Sequence, residues 1–454
     1  MTDDDVIALL PALQAFHARF HRFFCRSEGR TWSEKYLVGL TLPIERKNVE
    51  NITEQVGGAP RRLQEFLSDS PWDDEGCIGE LQRFVGEQFG TANGVLVLDD
   101  TGFAKKGTHS AGVGRQYSGT LGRVDNCQIG VFMAYASPHG HTLVDRRLYL
   151  NQAWLDDPAK RNSGKAAIPS GVGFKTKLEL AGEMLTATLQ RDHLPFQWVT
   201  ADAAYGDSHD LRAQVAEMGR RYCFEVSRTA EVWTSAPGWQ VPPPSGKKGR
   251  PRTRALPGPE SQPAQTVAEV VSALPAGAWR RHRVTEGEKG PREYEFLRLR
   301  VVEKIHRRPG RPGWLMARRG VGAGAEAEVK FYLSNAPETV ALAEMAWVGC
   351  LRWAIEVDFE LAKGEIGLDH YEVTKYRGWY HHMTLCLLAL AFLKSVQFEW
   401  GKKWGDRLGS GSSPVAGSDA APGGVESGPR DRLVSRSTTP QSYRPSQSQA
   451  ALAA

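Results

Sequence analysis

Three acidic positions in this 454-residue chain sit where a carboxylate can do chemistry. Asp99 and Asp100 close the apolar run GVLVLDD, Asp202 closes the strand-like WVTAD, and Glu356 lies in a helical stretch between two bases. The carboxyl ends of sheet strands are the usual ligand crevice of α/β proteins. Carboxylates that converge there repel one another, so they call for a raised pKa or a hard cation. An all-oxygen donor set suits Mg²⁺, with Mn²⁺ able to substitute, because such ions take oxygen ligands octahedrally and complete the shell with water and substrate phosphate. Two ions about 3.5–4 Å apart activate a water or sugar hydroxyl and stabilise the leaving oxygen of an in-line displacement. The chemistry indicated is metal-dependent cleavage of phosphodiesters.

The third acid can be placed by arithmetic. At about 100° per residue, Arg352, Glu356 and Lys363 fall within an arc of roughly 40° on one helix face, with Leu351, Ala354, Ile355, Leu361 and Ala362 on the other. The helix therefore packs by its apolar side and presents an acid flanked by two phosphate-binding bases, Arg as a planar fork and Lys as a point charge. Glu360 lies about 40° further round.

The elements that must position these groups follow from periodicity. Residues 1–90 read as a helical N-terminal domain able to touch DNA. Residues 91–230 give three strands, then helix, strand, helix and strand. That order makes an α/β layer with a mixed sheet, because the first three strands are close enough for hairpins while the later ones need helical crossovers. Residues 231–335 read as a β-rich basic insertion that opens with a Pro- and Gly-rich loop over 236–264. Residues 336–400 return to the α/β domain with a long helix starting at Glu338 and carrying Glu356. Residues 401–454, rich in Ser, Gly, Pro and Gln without periodicity, read as a disordered tail.

Composition narrows the partner. The net charge is +5, yet Lys247–Arg319 alone holds 18 Lys and Arg against 7 Asp and Glu, an excess of 11, so the remainder is net acidic. A local basic surface of this kind suits a phosphate backbone. The six cysteines are scattered without a CxxC pair, which argues against a zinc site or disulfide scaffold. No run of 18 consecutive apolar residues is present and the N-terminus is acidic, so the reading is a cytoplasmic protein.

Several stretches resemble the DDE transposases of bacterial insertion sequences. Arg352, Glu356 and Lys363 match the R-x3-E-x6-K part of that family's last motif, with Gly349 where the family has Tyr. DDTGFAKKGTHSAGVGRQYSGTLGRVDNCQIGVF, LVDRRLYLNQAWLDDPAKR, TADAAYGD and GLDHYEVTKYRGWYHHMTLCLLALAFL resemble one subgroup of it, over roughly residues 30–395. The resemblance implies a ribonuclease-H-like catalytic domain. It aligns the first acid with Asp100, giving Asp100, Asp202 and Glu356 as catalytic metal ligands. Arg352, Lys363, Lys105 and Lys106 are implied as DNA contacts, with Arg115 and Arg123 as weaker candidates. In related enzymes the β-rich insertion holds a flipped base or hairpin, which makes Trp279 and Trp314 stacking candidates. The implied activity is cleavage at double-stranded element ends and joining of the 3′ hydroxyl to target DNA by a homodimer. Two other functions remain: a non-catalytic DNA-binding relative, and a structure-selective nuclease without joining activity.

Overall fold

Strand β1 (Val95–Ala104) is apolar for four residues and then turns polar at Asp99 and Asp100, so one element both anchors the core and delivers the acids. The computed structural model describes residues 3–119, 122–161, 163–241, 255–258, 260–287, 290–306, 308–322 and 328–407. Strand β2 (Gly114–Ser118) pairs with the first part of β3 (Arg123–Ser137), and β4 (Gly140–Tyr149) pairs with the rest of β3; all of these contacts are antiparallel. Strand β3 lies antiparallel to β1, while β5 (Trp198–Ala201) runs parallel to β1 and β6 (Arg221–Val226) parallel to β5. The expected mixed sheet is present, in the order β4-β3-β1-β5-β6.

The basic insertion extends this same sheet. Its strands are β7 (Glu231–Trp233), β8 (Trp239–Gln240), β9 (Leu256–Pro257), β10 (Gln265–Thr266), β11 (Arg280–Gly287), β12 (Gly290–Ile305), β13 (Arg308–Gly320) and β14 (Lys330–Ser334). From the edge of β6 the ladder continues through β14, β13, β12, β7 and β10, with β11 paired to β12. The segment read as a loop over 236–264 contains an antiparallel β8–β9 pair; its residues 242–254 and 259 lie outside the described residues.

Two helical boundaries differ from the sequence reading. The long helix expected from Glu338 is two helices, Leu342–Cys350 and Arg352–Leu361, followed by a π turn, Ala362–Ile366, that ends at Gly367 with φ +76°. The final helix, Tyr376–Arg407, runs seven residues into the segment read as tail, and residues 408–454 lie outside the described residues. The stretch Tyr376–Trp400 is long and apolar enough to cross a membrane, but here it is a core helix. Phe392 packs 5.6 Å from Phe16, and the buried Tyr36 hydroxyl bonds His382 at 2.8 Å. No disulfide forms among the cysteines, and five of the six are buried.

An ionic cluster fastens the N-terminal helices to the sheet. Arg146 on β4 is fully buried and bonds Asp74, and Glu75 at 2.8 Å, on the helix Asp74–Phe89. Glu75 also takes Arg191 at 2.8 Å, and Arg147 bonds Asp145 at 2.7 Å. Burial works against the Glu75 carboxylate, yet Arg146, Arg147 and Arg191 together hold it down at about 2. Removing one member of such a buried network leaves uncompensated charge. Arg146→Ala is therefore expected to cost about 3–5 kcal/mol of stability. Urea denaturation at neutral pH checks this, and a loss under about 1 kcal/mol, the range of an exposed pair, would contradict it.

Candidate active site

Register places the first two acids. Leu98 pairs with Ala201 across the parallel β1–β5 ladder, so the next step along both strands brings Asp99, midway along β1, level with Asp202, just past the end of β5. Neighbours in register on parallel strands point to the same face. Asp99 and Thr101, two residues apart, face the helix Arg352–Leu361, since the Arg352 guanidinium lies 3.6 Å from Asp99 and the Lys363 ammonium donates to the Thr101 hydroxyl at 2.8 Å. Asp100 points the other way. Its carboxylate accepts from Lys177 at 2.8 Å and from the Tyr205 hydroxyl at 3.1 Å.

The structure thus brings Asp99, Asp100, Asp202, Arg352, Glu356 and Lys363 into one region, with Asp99 rather than Asp100 on the face of the Glu356 helix. Asp202 caps the short helix Ala203–Gly206, its carboxylate accepting from the amides of Ala204 and Tyr205 at 3.0 and 3.3 Å. Glu356 is half-exposed and held by Arg352 at 2.6 Å, one helical turn away. Lys363 sits in the π turn, where the helix arithmetic no longer applies; it reaches β1 because the turn carries it there.

The electrostatics record this crowding. Burial, and next the charge of Asp202, push the Asp99 carboxyl up to about 7. Burial, with the charge of Asp100 adding to it, raises Asp202 against the pull of its capping amides and Arg352. Burial lowers Lys363. The donors facing one another are all oxygens, which suits a divalent cation, and a cation between Asp99 and Asp202 would remove the repulsion that raises Asp99. Among the described residues, no three His, Cys, Asp or Glu side chains stand close enough to share one ion as they are.

The other expected contacts differ in their surroundings. Lys105 is largely buried, donates to the Tyr371 carbonyl at 2.9 Å and sits 3.3 Å from the centre of the Tyr371 ring, and burial lowers its pKa to about 8. It joins the first motif to the last, because the Tyr371 hydroxyl bonds Gln128 at 2.8 Å. Lys106 and Arg115 are exposed, and Arg123 bonds Asp125. Trp279 and Trp314 are stacked by Arg319 and by Arg298 and Arg300, and the Trp314 indole donates to the Ala336 carbonyl. At Gly349, a Cβ would meet Met316 at 2.9 Å and Tyr332 at 3.3 Å, so no Tyr fits there without repacking. Tyr332 comes instead from β14. With Tyr294, Arg318, Lys330, Trp353 and Glu356 it lines a cavity of about 160 Å³ between the insertion strands and the site helix.

Lys177 and Tyr205 escaped the sequence reading. Both had a signal: Thr176 and Glu179 form a capping box that sets Lys177 at a helix start, and Tyr205 follows Asp202 by three residues on the turn after β5.

Comparison with known proteins identifies the family. The family model of the DDE superfamily endonucleases matches residues 15–291, and the chain belongs to that family. It is also similar to a probable transposase for insertion sequence element IS701 of Microchaete diplosiphon, 31% identical over 181 residues, which are 38% of this chain and 43% of the relative. The match thus spans less than half the length of that curated relative. A cryo-EM structure of the piggyBac transposase synaptic complex with hairpin DNA aligns with 84% of this chain and 67% of its own at 10% identity and a TM-score of 0.35, too slight a likeness to carry an argument.

The raised Asp99 carboxyl has a consequence for stability. Its folded pKa of about 7 exceeds the ordinary value near 3.9, so between those values the native state holds the extra proton and stability falls as pH rises. Asp99→Asn removes that loss. In chelator, the variant's stability relative to wild type is expected to climb between about pH 4 and 7 by a few kcal/mol, then level off. A difference that does not change with pH would contradict the raised Asp99 carboxyl.

Proposed function

We propose that this chain is a DNA transposase that cuts phosphodiester bonds at the ends of its own element and joins the freed 3′ hydroxyl to target DNA. The observation that carries the reading is Asp99, midway along β1, set level with Asp202 just past the end of the parallel β5, with Asp99 facing Arg352 of the Glu356 helix. The central order β4-β3-β1-β5-β6, with β3 antiparallel, supports a ribonuclease-H-like core. Membership of the endonuclease family supports a divalent metal, for which Mg²⁺ is the proposal and Mn²⁺ the substitute.

Asp202 and Glu356 hold the metal together with one acid of the Asp99–Asp100 pair. The resemblance assigns that role to Asp100, and the geometry favours Asp99, since Asp100 is already bonded to Lys177 and Tyr205. Bound metal supplies charge at the attacked and leaving oxygens. Arg352 and Lys363 then bind the phosphates on either side of the scissile one, and Lys106 contacts the backbone nearby. Lys105, committed to Tyr371, supports this face from within. The cavity lined by Tyr294, Trp353, Arg318 and Lys330 offers aromatic and cationic contacts to a nucleotide beside Glu356. Two copies hold the two element ends.

The test is cleavage and joining of DNA carrying the flanks of the gene's own locus. Wild type is expected to act with Mg²⁺ or Mn²⁺ and to stop with Ca²⁺ or under chelation. Asp202→Asn and Glu356→Gln keep DNA binding and lose on the order of a thousandfold in rate. Asp99→Asn loses as much and Asp100→Asn less; the reverse order would return the first acid to Asp100. Binding without cutting under any divalent metal would establish a binding protein instead.

A further inference from the structure

A second groove lies on the Asp100 side of β1, away from the Glu356 helix. It has a volume of about 500 Å³ and is bordered by β2, by Tyr149 at the end of β4, and by Lys160 and Lys177. Three cations line it, Arg115, Lys160 and Lys177, and among the described residues its lining holds no acid. Asp157, outside the lining, is 3.8 Å from Lys160, and Asp125, opposite Gln116 on β3, is bonded to Arg123 at 2.8 Å. Arg115 and Tyr117 are two residues apart on β2, so they share its solvent face, and the Tyr117 side chain is 61% exposed. Phe174, 41% exposed, stands edge-on to Tyr149 with ring centres 6.4 Å apart. The groove ends at Asp100, because Lys177 bonds it.

We infer that this groove binds an unpaired DNA strand that flanks the reacting end, on the Asp100 face of β1. The inference rests on the DNA-cutting function proposed above. Arg115, Lys160 and Lys177 track the phosphates, while Tyr117 and the Tyr149–Phe174 pair offer ring faces to the bases. Exposed aromatic faces favour an unpaired strand over a duplex, whose base faces are already covered by stacking. The charged groups of the lining are all cations, Arg115 exposed among them, which favours an anionic ligand such as nucleic acid over an uncharged one.

The test uses the full-length protein in chelator, with fluorescence anisotropy of a labelled oligothymidylate and of a duplex of equal length across a salt series. Arg115→Gln is expected to weaken binding of the unpaired strand and to reduce the salt slope by about 0.7, the contribution of one single-strand phosphate contact. Tyr117→Ala is expected to weaken it about tenfold with the slope unchanged, the signature of lost stacking. Both residues are exposed, so the fold survives either change, and ultraviolet cross-linking of an iodouracil-substituted strand to Tyr117 gives a second readout. Wild-type affinity in both variants, or equal losses for duplex and unpaired strand, would overturn the inference and leave the function above standing. A wild type that binds neither DNA would overturn both.

Discussion

The parallel pairing of β1 with β5 is the constraint on which the site depends. It sets Asp99, midway along β1, level with Asp202 where β5 ends, and burial strengthens their repulsion. Two like charges gain nothing from such a position by themselves. Arg352 relieves part of the strain from one side, but it is shared with Glu356. The arrangement therefore stores a standing demand for positive charge at one point.

Holding two repelling carboxylates in register requires a stiff frame. Much of the residue pattern in which the chain resembles the transposases serves that frame. Lys105, Gln128 and Tyr371 join the strand that bears the acids to the loop before the last helix. Arg146 and Arg147 join β4 to the N-terminal helices, and His382 with Tyr36 closes the opposite side. Burial lowers the pKa of His381 and of His382 to about 3, so both stay neutral and act as packing and hydrogen-bonding groups. The insertion strands add to the same ladder, so movement at β6 is tied to movement at β14 and to the wall of the cavity beside Glu356.

The sequence made the order of strands and helices legible because hairpin-length gaps and helical crossovers leave different spacings. The acids were legible because each follows an apolar run or sits between bases. What escaped was set by contacts distant in sequence. Nothing local in VLVLDDTG tells which acid faces Glu356; that follows from strand alternation together with Lys177 and Arg352, which are 77 residues after Asp100 and 253 after Asp99. The break at Leu351 was hidden because apolar periodicity continues through it, and the π turn at Ala362–Ile366 has no composition of its own. The separate appearance of the insertion had a similar cause, since strand patterns reveal strands but not the edge they join.

The most direct test of the central claim is to locate the metal. Crystals soaked in Mn²⁺ and measured for anomalous scattering are predicted to show a peak between the carboxylates of Asp99 and Asp202, with Glu356 turned from Arg352 toward it. A peak on the opposite face at Asp100, with Lys177 displaced, or no peak among these acids at all, would contradict the account.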